Sequence, residues 1–120
     1  MWLVQLRDRI SNKGDDRMKA MLLDICDAAI DKWGSDNQIM KAIEELCEFS
    51  VALCHLRLSR LGSTYEVMEE MADVEIMIAQ LKRIVLDDQK IKHEDRREIY
   101  GKIYMEKIKR LREKVKENGL

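Results

Sequence analysis

The 120-residue chain has no proline and only five glycines, so few positions oblige a helix to stop. Its three cysteines, Cys26, Cys47 and Cys54, form neither a CxxC pair nor an even set. They read as reduced thiols of a cytoplasmic protein and exclude a disulfide framework. Long apolar runs are also missing. The longest uncharged stretch, Phe49 to Leu56, is far too short to span a bilayer, and the N-terminus shows no signal-peptide pattern. No membrane partner is expected. A strong charge of either sign is absent too: the formal net charge of -1 supplies no global field towards nucleic acid, so no nucleic-acid polymer is expected as a partner.

Two opposed classes of residue are abundant instead. Charged residues make up 38% of the chain and apolar residues 46%, against about 25% charged in an average domain. A chain rich in both and poor in helix breakers reads as an all-α protein with sharply divided helix faces. Its length fits a single domain over 1–120. Charge is unevenly placed. Glu66 to Glu75 holds five acids and no base, whereas Lys102 to Lys116 holds seven bases and two acids.

The apolar spacing predicts a short helix over 1–10, a turn at Asn12-Lys13-Gly14-Asp15, and a helix from Asp15 or Asp16 as cap to about Trp33. Gly34 ends that helix. Ser35 with Gln38 forms a capping-box pattern that opens a second helix to about Arg60. Gly62 stops it, and Ser63 with Glu66 repeats the pattern before a third helix to about Leu86. Asp87 to Lys90 is a polar connection, and a last helix occupies about 93–117. Four principal helices with short links imply an antiparallel bundle. The third helix is apolar over much of its circumference after Asp73, so a homo-oligomer, homodimer or homotetramer, is expected with that helix near the interface.

Two acid-x-x-acid pairs stand out, Glu45 with Glu48 and Glu70 with Asp73. Residues three apart on a helix project to the same side. Gln38, Lys41, Phe49, Ala52 and Leu56 share the Glu45–Glu48 stripe. Glu66, Val74, Met77, Leu81 and Ile84 share that of Glu70 and Asp73. Both stripes continue as core, so the two should meet. Carboxylates converging there would repel one another and lose hydration. A hard divalent cation with oxygen ligands removes that difficulty. Solvated helix faces carry similar charge runs, and the core-facing phase of these pairs sets the two readings level without deciding between them.

Glu44-Glu45-Leu46-Cys47-Glu48, then 21 residues, then Glu70-Met71-Ala72-Asp73, resembles the EExxE…ExxD signature of the MazG-like all-α nucleoside triphosphate pyrophosphohydrolases, small phage-type members especially. Val74-Glu75-Ile76-Met77 resembles the apolar continuation of that motif, and Trp33-Gly34 followed by Gln38 resembles the segment before it. The similarity covers roughly 33–85, with a weaker match near Lys107 to Leu111. It implies Mg²⁺ (with Mn²⁺ as substitute) held by Glu45, Glu48, Glu70 and Asp73. It also implies conversion of a nucleoside triphosphate to monophosphate and pyrophosphate, with Glu44 or Glu45 accepting the proton of the attacking water.

Supporting residues each admit two roles. Lys41 contacts a phosphate or pairs with Glu45 one turn away. Lys107 and Arg110 clamp the pyrophosphate or form a solvated basic face. Trp33 stacks on a base or packs at a helix end. Gln38 reads a base edge or completes its capping box. His55 and His93 lack partners at metal-ligand spacing, and the eight methionines read as packing residues. Among related activities, phosphoribosyl-ATP pyrophosphohydrolase is disfavoured because Met77 and Ile78 stand where a tyrosine-histidine pair is expected. A dUTP or dCTP hydrolase stays open. A di-iron bundle needs Glu-x-x-His pairs, which neither motif supplies. A non-catalytic helical oligomer acting as an adaptor is the alternative of a different class.

Overall fold

The computed structural model describes residues 2–58, 63–87 and 95–117, with side chains from residue 13 onward. It is all-α, and among the described residues there is no strand. The helices are α1 (Trp2–Trp33), α2 (Ser35–Arg57), α3 (Ser63–Leu86) and α4 (Arg96–Glu117). The chain divides into two compact units, Met1–Ile84 and Val85–Leu120. Among the described residues no helix is long and apolar enough to cross a membrane.

The break expected near Gly14 does not form: α1 runs unbroken through Asn12-Lys13-Gly14-Asp15, and neither Asp15 nor Asp16 caps a helix start. A glycine inside a helix is a penalty of about 1 kcal/mol rather than a stop, and no proline reinforces it. The break comes at Gly34, whose φ of 87° lies where a side chain is disfavoured. Its N–H closes α1 on the Ile30 carbonyl at 2.8 Å, and its own carbonyl accepts from Gln38 N at 3.1 Å. One residue thus serves both helices. Asn37 Nδ2 donates to the Trp33 carbonyl at 2.7 Å, which satisfies another open acceptor of α1.

The Ser35–Gln38 capping box is likewise absent. Gly34 is the N-cap, and no side chain caps α2. The Gln38 amide is drawn instead to Gln80 on α3. Ser63 is the first residue of α3, and the Glu66 carboxylate lies against His55 Nδ1 at 3.0 Å. Helix α2 ends at Arg57, short of Arg60, and α4 starts at Arg96, later than expected. There Asp95 Oδ1 accepts from Glu98 N at 3.2 Å, a side-chain N-cap. Gly62, Lys90 and His93 lie outside the described residues.

Helices α2 and α3 run antiparallel, as their contacts show. Gln38 meets Gln80, Glu45 meets Glu70 and Asp73, and His55 meets Glu66, so rising numbers on one helix face falling numbers on the other. Arg83 Nη2 on α3 donates to Asp27 Oδ2 on α1 at 3.0 Å. Among the described residues the buried apolar side chains are mostly small: Cys26 and Ala29 on α1, Ala42 and Ala52 on α2, Val67 and, larger, Met77 on α3. Cys26 is fully enclosed, and burial, then the charge of Asp27, pushes its thiol pKa up. Cys26, Cys47 and Cys54 are all free thiols.

Candidate metal and nucleotide site

On the buried face of α2, alanine and glutamine neighbours flank a carboxylate. Gln38, Ala42, Glu45 and Ala52 are the buried residues of that helix, within the angular sector that the stripe predicts. Glu45 is only 8% exposed. Across from it stand Glu70, half-buried, and Asp73, exposed. Each of the three offers a carboxylate oxygen, and these oxygens lie within 4.8 Å of one another. Glu45 Oε2 and Glu70 Oε2 are enclosed yet have no hydrogen-bond partner. A carboxylate oxygen removed from water normally finds a donor, and a cation held among these carboxylates would give both oxygens a partner.

The electrostatics of the neighbours agree. Desolvation, followed by the charges of Glu48 and Asp73, raises the Glu70 pKa. The charge of Glu45, followed by desolvation and the charge of Glu44, raises that of Glu48. Glu48 is therefore electrically part of the cluster, although its oxygens are not among the three that converge. The positive charge nearest Glu45 is Lys41, whose Nζ lies 3.2 Å from Glu45 Oε1 and 3.4 Å from Glu44 Oε1. The hydrogen bond to Glu45, then the charge of Glu44, raises the Lys41 pKa and keeps it protonated.

A cleft of about 500 Å³ opens beside the carboxylates. Trp33, Asn37, Gln38, Lys41 and Glu45 form one wall, and Asp73, Ile76, Met77 and Gln80 the other. Along the helices the charged lining residues, Lys41, Glu45 and Asp73, come at one end, and Trp33 with the amides of Asn37, Gln38 and Gln80 at the other. Comparison with protein-family models, curated proteins and solved structures gives no match.

Of the residues singled out in the sequence, Trp33, Gln38, Lys41, Glu45 and Asp73 line this cleft, and Glu70 joins them at its acidic end. Trp33 is not a core residue. Its ring is more than half exposed, with Lys32 Nζ 5.2 Å from the ring centroid. Glu44 is exposed and tied to Lys41. Lys107 and Arg110 are exposed on α4 in the second unit. Asn37, Ile76, Met77 and Gln80 also line the cleft, and no sequence motif marks them as site residues. The only sequence signal for Gln80 is an uncharged amide one turn after Met77, at the edge of an apolar stripe.

Proposed function

We propose that the chain is a Mg²⁺-dependent nucleoside triphosphate pyrophosphohydrolase, cleaving NTP or dNTP and water to the monophosphate and pyrophosphate. The observation that carries this reading is the pair of enclosed, unpartnered carboxylate oxygens of Glu45 and Glu70 beside a cleft that also offers an indole and three amides. Carboxylates alone would suit many cations. A cleft that continues into a flat aromatic and hydrogen-bonding groups suits a nucleotide with its phosphates at the acidic end. The likeness of Glu44 to Asp73 to the MazG-like signature supports the same assignment.

Glu45, Glu70 and Asp73 hold the cation, with Glu48 beside them adding negative charge. Bound there, Mg²⁺ would neutralise phosphate charge and acidify a water at the α-phosphorus. Lys41 is placed to receive a phosphate oxygen when its contacts with Glu44 and Glu45 are exchanged. Trp33 offers a stacking face for the base. Glu44 or Glu45 accepts the proton of the attacking water, and pyrophosphate leaves as the P–O bond to the β-phosphate breaks.

Assembly as a homo-oligomer belongs to the same reading. Large apolar side chains are exposed on α2 (Met40, Ile43, Val51, Leu53) and on α3 (Met68, Met71, Ile78). Such surface is normally covered in a folded protein, and a bundle completed by further copies would cover it.

The deciding experiment incubates the full chain with Mg²⁺ and a panel of NTPs and dNTPs and identifies the products. Monophosphate plus pyrophosphate is expected. Diphosphate plus orthophosphate, or no turnover of any member, refutes the proposal.

A further inference from the structure

We infer that the cleft selects a nucleobase carrying an exocyclic amine, of cytosine or adenine type, over its keto counterpart, through a hydrogen-bond relay running from Gln38 through Gln80 to Met77. This rests on the nucleotide reading of the same cleft and adds to it the class of base.

Gln38 and Gln80 are 6% and 7% exposed, so each amide is more than nine-tenths buried, and both line the cleft. A buried amide must satisfy two N–H donors and a carbonyl oxygen with two lone pairs. Gln80 Nε2 donates to the Met77 sulfur at 3.7 Å. A thioether accepts weakly and has no proton to give, so it fixes which end of the Gln80 amide faces it. The Gln80 carbonyl is thereby turned towards Gln38, and Gln38 Nε2 donates to it. The polarity of the chain is set from the sulfur outward. Its last member is the Gln38 carbonyl oxygen.

The capacity left over favours one kind of base. The relay uses one N–H of each amide and one lone pair of Gln80. What remains is both lone pairs of the Gln38 oxygen and one of Gln80, against a single N–H on each amide. That end of the cleft is rich in acceptors. An amine-bearing base edge brings an NH₂ with two donors beside a ring-nitrogen acceptor, whereas the keto form brings one imino N–H beside carbonyl acceptors. The amine satisfies the surplus oxygens. A keto base brings one donor fewer and so leaves one more of these amide oxygens without a proton, even where its carbonyl takes the N–H left on an amide.

The placement along α2 fits the same ligand. Gln38 precedes Glu45 by two helical turns, about 10 Å along the axis. Base-reading amides and phosphate-end carboxylates are therefore separated by the order of a nucleotide's own length. Trp33 supplies the apolar face between helix ends, and Ile76 faces the same space from α3.

Calorimetric titration of the full chain with CMP against UMP, and with AMP against IMP, isolates the base, since each pair differs in an amine replaced by a carbonyl. For the ring size that the cleft admits, the amine member should bind at least about tenfold tighter. Met77→Leu keeps the volume and removes the sulfur. Gln80→Leu removes the acceptor that holds Gln38. Both should bring the ratio towards one, and Met77→Leu carries the test where Gln80→Leu fails to fold. Equal affinities, preference for the keto member, or a ratio unmoved in folded Met77→Leu would overturn the inference. An amine preference without hydrolysis of any triphosphate would leave it standing and remove the proposed reaction. Binding of none of the four monophosphates would overturn the inference and leave the proposed reaction to the triphosphate assay.

Discussion

Two glycines of the first unit should respond to the same substitution with opposite sign. Gly34 joins α1 to α2 at φ 87° and ψ 153°, a conformation reached essentially only by glycine. A Cβ built there meets nothing within 4 Å, so the penalty for Gly34→Ala comes from the backbone alone, about 1–3 kcal/mol. Gly14 also has nothing within 4 Å of an added Cβ but sits inside α1. There Gly14→Ala contributes about 0.5–1 kcal/mol of added stability from helix propensity. For a unit of this size 1 kcal/mol moves Tm by about 4–8 °C. Gly34→Ala should therefore melt at least about 4 °C lower than the parent, and Gly14→Ala about 2–8 °C higher, followed by circular dichroism at the helix band. Because Gly34 separates Trp33 from Gln38, Gly34→Ala should also weaken nucleotide binding, while Gly14→Ala leaves it alone. A neutral Gly34→Ala, or a destabilising Gly14→Ala, would contradict both the left-handed joint and the continuous α1.

Glu45→Gln and Asp73→Asn should each abolish Mg²⁺-dependent turnover while the far-ultraviolet spectrum stays helical; a neutral outcome in both would favour the non-catalytic adaptor. Glu48 and Glu70 have pKa values raised above the ordinary 4.5, so their contribution to stability is full below that value and is lost as pH rises through their folded-state values. Metal-free protein should therefore gain stability from these groups as the pH falls from neutral towards 4.5, and the combined Glu48→Gln and Glu70→Gln variant should lose that component; an unchanged pH profile would refute the assignment. Sedimentation equilibrium should return a multiple of the 14.2 kDa chain mass, and a value equal to it at all concentrations would remove the oligomer.

The sequence was most legible where periodicity and chemistry agreed. The phase of Glu45 with Gln38 and Ala52 places it on the inner face of α2, and that is where it is buried. The meeting of α2 with α3 was legible in the core-facing stripes of two neighbouring helices. Local signals proved weaker than long-range ones. Asn12 to Asp15 reads as a turn, but nothing compels α1 to bend there, and the helix continues. Ser35 and Gln38 have the spacing of a capping box, yet Gln38 finds a buried partner on α3, beyond the reach of any local pattern. Gln80 was illegible for the same reason. A polar residue beside an apolar stripe looks like a boundary until its partner is known.

The smallness of the core has a geometric meaning. Ala42 and Ala52, both fully or nearly enclosed, lie one turn before and two turns after Glu45 on the same face. An alanine is one carbon deep, and both are already covered, so a longer side chain at either position would have to displace what packs on it. Glu45, Glu70 and Asp73 meet through the reach of their side chains, whose oxygens lie within 4.8 Å of one another. A shift of α2 forced at Ala42 or Ala52 would therefore be felt a turn or two away, at the carboxylate between them.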